Sequence, residues 1–209
     1  MKNFIFILVV FFSCQKDEID ANPLPHDLSV LVIGNSIVKY NADQSIGWYY
    51  NCGMAATPNN DFVSIVKTAL LTTHHVSNYD VTRIVAWEQT FSFEGIAPSS
   101  KAYNVIIVKL GENVIDIPKF IAALPKLVGL YASVDTHIVL ISSIWHRPEM
   151  DAAIQAICYH HGYRYADVSM LQTSGAYYAT GEYANREVAA HPNNIGHWVI
   201  ARSVLKQLR

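Results

Sequence analysis

Two uninterrupted apolar runs dominate the hydropathy pattern of the chain, Ser29-Val-Leu-Val-Ile33 and Asn104-Val-Ile-Ile-Val-Lys109. Short runs rich in β-branched residues predict strands buried on both faces, the kind found inside parallel sheets. Thr136-His-Ile-Val-Leu-Ile-Ser142 predicts another such strand. Val81 to Trp87 and Tyr163 to Val168, rich in β-forming residues, predict two more. Between the strands the period changes to that of helices. Asp61 to Leu71 predicts a helix with Asn59 or Asn60 as N-cap, and Ile117 to Tyr131 another, which Pro125 should kink or break in two. Glu149 to His161 predicts a helix ending at Gly162, where glycine suits a left-handed C-terminal position. Ile195 to Leu208 closes the chain, and Ile37 to Asn60 reads as a long loop. Strand and helix alternate throughout, which predicts an α/β fold with one parallel five-stranded sheet and helices on both faces.

The first residues follow a different pattern. Lys2 precedes nine apolar residues, Phe4 to Phe12, and then Ser13-Cys14-Gln15-Lys16-Asp17-Glu18. A bilayer span needs about 20 apolar residues, so this segment predicts a signal peptide over residues 1–13. Cys14 directly behind the apolar core resembles the lipobox of bacterial lipoproteins, and the acidic stretch after it resembles export signals of surface lipoproteins in the Bacteroides group. That resemblance implies cleavage before Cys14, its lipidation, and attachment of an exported protein to the outer membrane or cell surface. Residues 14–27, with Pro23 and Pro25, then form a tether, and residues 28–209 one domain.

Composition narrows the function. With 15 Lys+Arg against 17 Asp+Glu the net charge is −2. No basic run or stripe is present, which argues against a nucleic-acid partner. With Cys14 assigned to lipid, Cys52 and Cys158 are left. Two cysteines make no disulfide framework, and these two are expected to stay apart. No pair of histidines has metal-ligand spacing with a third ligand nearby, so neither metal nor cofactor is expected.

Chemistry gathers behind the strands. Gly34-Asn35-Ser36 follows the first apolar run, Gly111-Glu112-Asn113 follows the Asn104 run, and His191-Pro192-Asn193 precedes the closing helix. In open α/β sheets ligands bind at the C-terminal ends of strands. There Ser36 is a candidate nucleophile, His191 its base and Asn113 an oxyanion donor. Gly53 could bring a backbone N–H to the same oxygen. Each motif alone has a plainer reading: Ser36 as a helix cap, Asn113 as a turn residue. Trp145 and His146, just past the Thr136 strand, are expected to shape a substrate pocket. Trp48, Tyr49, Tyr50, Trp87 and Trp145 would suit sugar stacking, although aromatics are also ordinary core. His160 and His161, like His74 and His75, end helices and read as structural. His197, inside the closing helix, reads as packing or capping.

Taken in order, Ser36, Gly53, Asn113 and His191 resemble the four sequence blocks of the SGNH (GDSL-type) hydrolases. The resemblance covers essentially the whole domain. It implies a flavodoxin-like three-layer α/β/α fold and esterase, thioesterase or lipase activity. Two positions depart from the family pattern. Asn35 stands in place of aspartate before the serine, and Val188 stands three residues before His191, where the family has the aspartate that orients the histidine. Glu187 is the nearest replacement, with Glu182 and Asp167 further candidates. A backbone carbonyl could orient the ring instead, and it is the preferred alternative, because a one-residue offset in an extended loop turns the side chain the other way.

These readings predict an exported, lipid-anchored serine esterase acting through an acyl-enzyme. Its partner would be an acylated glycan or another small ester, the O-acetyl group being suggested by family analogy. A lipid or lysophospholipid esterase, or a non-catalytic glycan-binding lipoprotein on a degenerate scaffold, are the alternatives.

Overall fold

The computed structural model describes residues 23–209; the expected signal peptide and Cys14 lie outside the described residues. Five parallel strands form one sheet in the order β2-β1-β3-β4-β5. They are β1 (Asp27–Gly34), β2 (His75–Arg83), β3 (Val105–Lys109), β4 (His137–Ile141) and β5 (Arg164–Ala166). The longer helices are α1 (Phe62–Leu71), α3 (Ile117–Gly129), α4 (Pro148–His161) and α6 (Asn194–Gln207). Two short ones, α2 (Trp87–Thr90) and α5 (Arg186–Ala189), sit in loops.

Successive residues of the central strands serve opposite faces, as the period of two requires. Val30 and Val32 of β1 join Val105, Ile107, Val139 and Ile141 against α1 and α6. Leu31 and Ile33 join Ile106, Val108, Ile138 and Leu140 against α3 and α4. The result is the expected three-layer α/β/α sandwich with a flavodoxin-like sheet. It also explains why β1 and β3 read as continuous apolar runs.

Several boundaries differ from expectation. The second strand covers His75–Arg83 rather than Val81–Trp87. It is an edge strand in which His75, Ser77 and Asn78 are exposed and Val76, Tyr79 and Val81 are the apolar residues packed against the core. Its pattern therefore carries only half the apolar signal of a central strand, and Trp87 begins a helical turn instead. Helix α3 runs unbroken through Pro125. The carbonyl left without a partner by proline is that of Ile121, on the exposed side, where water can serve it. The N-cap of α1 is Asp61, whose side chain accepts from the Ser64 N–H, and not Asn59 or Asn60. Gly162 ends α4 at φ 68°, as expected. Cys52 and Cys158 are both free thiols, and burial pushes each up to about 12.

Candidate active site

The first turn after β1 carries Ser36. Asn35 C=O accepts from the Val38 and Lys39 N–H groups at 2.9 and 3.0 Å, which turns the chain sharply just past the sheet. The second element is the loop after β3, Gly111 to Asn113. The third is the segment joining α5 to α6, which carries His191. That segment is tied down by its backbone: Ala179 N–H donates to His191 C=O at 3.0 Å, and Asn193 N–H to Tyr177 C=O at 2.9 Å. The Asn193 side chain caps α6 and donates to the carbonyls of Ala176 and Tyr178. A histidine on so constrained a loop has little freedom to leave its position.

Ser36 Oγ and His191 Nε2 are 2.8 Å apart, although 155 residues separate them in sequence. The other ring nitrogen, Nδ1, lies 2.7 Å from the main-chain oxygen of Glu187. A carbonyl only accepts, so Nδ1 carries the proton and Nε2 presents its lone pair to the serine hydroxyl. Burial of the ring holds its pKa below the ordinary 6.5, against the opposing influence of the Glu187 carbonyl and of the Glu112 and Glu187 carboxylates. His191 is therefore a neutral imidazole in the tautomer a general base needs.

The Glu187 carboxylate does not orient the ring, contrary to one expectation. Its side chain is exposed, and the residue serves through its backbone. Glu182 and Asp167 fare no better: Glu182 accepts from Asn193, and Asp167 caps Ser169. Val188, at the family's aspartate position, is fully buried with Trp48, Met54, Ala55 and Ala179.

Asn113 stands exposed on the loop after β3, its Nδ2 donating to Glu88 Oε2 at 2.9 Å. Gly53 lies against the Ser36 turn, because Met54 N–H donates to Ser36 C=O at 2.8 Å. A Cβ on Gly53 would meet the Ile37 carbonyl oxygen at 2.5 Å and His197 Cε1 at 2.7 Å, so only glycine fits there. Trp145 sets its ring edge-on to His191, with centroids 5.8 Å apart, and donates from Nε1 to Ala190 C=O. His146 behaves differently. It pairs with Gln172 and lines a cavity of about 260 Å³ with Arg147, Glu149 and Met150 that includes neither Ser36 nor His191. A larger cavity, about 630 Å³, lies beside β5 and α6 and also misses the pair. Ser36 and His191 meet at the rim of the sheet, outside both cavities.

Sequence reasoning passed over Glu88, Lys109 and Arg147. Glu88 is wholly buried and accepts from Asn35, Gly111 and Asn113. Lys109, equally buried, pairs with Glu112, whose Oε1 also accepts from the Ile144 N–H. Arg147 donates to the carbonyls of Gly111, Glu112 and Val114. A lysine ending an apolar strand and a lone glutamate after a tryptophan give no sequence signal of such roles, since their partners are distant. Among the described residues no group of three His, Cys, Asp or Glu side chains is placed to hold a metal ion.

His197 is structural, as expected. Its Nδ1 accepts from the Phe62 N–H at 3.2 Å, so Nε2 carries the proton and donates to Met54 C=O at 3.1 Å. Complete burial lowers its pKa to about 4, with Asp61 opposing the shift and His191 adding to it. The unfolded chain protonates this ring near 6.5 while the fold resists, so the unfolded state binds more protons in between. Unfolding free energy should therefore fall as pH drops from 6.5 toward 4, by on the order of 1 kcal/mol per pH unit from this group. Denaturant titrations across that window would check it, and a His197→Asn protein should lose this part of the slope.

No protein-family model matches the sequence, and no curated protein matches it. Solved structures do share its fold. An acetylxylan esterase from Geobacillus stearothermophilus, Axe2, superimposes with a TM-score of 0.55 at 16% identity, over 87% of this chain and 94% of that one. LAE5, an alpha/beta hydrolase from the metagenome of Lake Arreo, Spain, gives 0.54 at 15% identity with the same coverage. Catalytic mutants of Axe2 replace a serine, an aspartate and a histidine by alanine, the last two three positions apart in its sequence.

Proposed function

We propose that this protein is a serine esterase that removes small acyl groups, acetyl above all, from carbohydrate. The observation that carries this reading is the aligned series from Ser36 Oγ through His191 to the Glu187 carbonyl at the C-terminal rim of a parallel sheet. His191 takes the serine proton as Ser36 attacks the ester carbonyl, and gives it to the sugar oxygen as the acyl C–O bond breaks, so that the sugar leaves with a free hydroxyl. The resulting acyl-enzyme is cleared by water activated at the same nitrogen. The carbonyl oxygen becomes an oxyanion in both steps, and the Asn113 amide with the N–H groups of Ser36 and Gly53 would hold it. Neither of those N–H groups has a protein acceptor among the described residues.

Carbohydrate is favoured as the substrate because structural neighbours act on acetylated xylan. Trp145, beside His191, offers a ring for a sugar to lie against. A decayed, merely sugar-binding site finds less support. The missing aspartate was its best argument, and the Glu187 carbonyl satisfies the nitrogen that aspartate would have served. Lipidation at Cys14 and display on the cell surface complete the proposal, and would place the enzyme where glycans are met.

The test is turnover of p-nitrophenyl acetate and of acetylated xylo-oligosaccharide by the purified protein. Acyl-enzyme should be trapped as one acetyl group on the peptide carrying Ser36. Because burial keeps the His191 ring neutral to lower pH, kcat/KM should fall on the acid side with an apparent pKa below 6.5. Absence of turnover on both esters would sink the reading.

A further inference from the structure

Glu88 is a carboxylate with no exposure, set on the short helix α2 beyond the edge strand β2. Its Oε1 accepts from the Gly111 N–H at 2.5 Å. Its Oε2 accepts from the side-chain amides of Asn35 and Asn113, the latter at 2.9 Å. Asn35 is the residue before the nucleophile, and Gly111 and Asn113 belong to the loop after β3. One buried side chain thus ties together the two loops that present Ser36 and the oxyanion donor. Arg147 grips the same loop through the carbonyls of Gly111, Glu112 and Val114.

A side-chain amide has two N–H bonds. Glu88 engages one of those on Asn113, which fixes the plane of the group and directs the second N–H away from Glu88. Without that anchor the exposed carboxamide would rotate freely and its second donor would lose its aim. Fixing the donor beforehand is what gives an oxyanion hole its value, since no reorganisation is needed as charge develops. Resting on the esterase reading, we propose that Glu88 is a positioning residue that aims Asn113 at the oxyanion and holds the Ser36 turn in register with it.

Glu88→Gln separates this role from a merely structural one. Its remaining oxygen keeps the Gly111 N–H. Its new amide can donate to Asn35 if that side chain turns, because Asn35 Oδ1 is buried without a partner among the described residues. Asn113 alone is left facing a donor. The variant should fold, and its kcat on p-nitrophenyl acetate should fall by about ten- to a hundredfold with KM little changed, short of the roughly 10²–10³ for deleting a donor outright. In an Asn113→Ala background the same change should cost nothing further, because the two residues act as one unit.

Wild-type kcat in Glu88→Gln, or losses that multiply in the double variant, would overturn the positioning role while leaving the esterase reading intact. A wild type without turnover would overturn both. Should Glu88→Gln fail to fold, NMR on the wild-type protein decides. One Asn113 carboxamide proton should then show slowed exchange and a hydrogen-bonded shift, and free exchange of both would overturn the proposal.

Discussion

Ser36→Ala should lower kcat for p-nitrophenyl acetate by about 10⁴-fold, and His191→Ala should lower it by nearly the same factor. The two act as a unit: the alanine protein has no hydroxyl to deprotonate, and without the imidazole the hydroxyl is a poor nucleophile. The Ser36→Ala/His191→Ala double variant should therefore be no slower than either single one. The loss is expected to be smaller than the roughly 10⁶ of a complete serine-protease triad. A carboxylate behind the histidine is worth up to about 10⁴ there, and here a neutral carbonyl takes its place. The residual rate is what the oxyanion donors and binding supply alone. Ser36→Ala with activity within tenfold of wild type, or single losses that multiply, would remove the mechanism.

The central sheet was legible because it is buried twice over. Strands such as β1 and β3 have no polar face to interrupt their apolar runs, and the motifs behind them fall at the rim by topology alone. Ser36 and Asn113 are legible on that edge because each follows such a strand, whereas His191 follows none and is read from its place before the closing helix. β2 was misplaced because an edge strand needs to bury only Val76, Tyr79 and Val81, and His75-Val-Ser-Asn-Tyr-Asp-Val-Thr-Arg83 carries too few apolar residues to announce itself. His146 was expected in the substrate pocket because it follows a strand end, but position along the chain says nothing of rotamer, and it turns to Gln172. The group behind His191 was readable only in part. Side chains leave a mark in sequence, whereas every residue owns a carbonyl, so nothing distinguishes the one at Glu187. Glu88 lay hidden for a related reason: its meaning comes from Asn35, Gly111 and Asn113, which only the fold brings to it.

Restoring the family's aspartate, as Val188→Asp, should not raise activity; it should lower stability by several kcal/mol. Val188 is completely enclosed by Trp48, Met54, Ala55 and Ala179, all apolar, with Tyr40 and Tyr183 at the margin. A carboxylate there would lose its water among apolar side chains, which is among the costliest single changes a core can suffer. At about 2–4 °C per kcal/mol for a domain of this size, the midpoint of thermal unfolding should drop by about 10 °C. Lowering the pH should recover part of that loss, since protonation removes the buried charge. Glu187→Gln is the counterpart and should leave kcat within about twofold, because the substitution keeps the main-chain oxygen on which Nδ1 rests. The pair of variants decides what orients His191. Higher kcat in Val188→Asp would mean that a side chain at 188 can displace the Glu187 carbonyl and reach the ring. A large fall in Glu187→Gln would mean that its carboxylate, exposed as it is, supports the imidazolium. Either result would overturn the carbonyl-supported dyad.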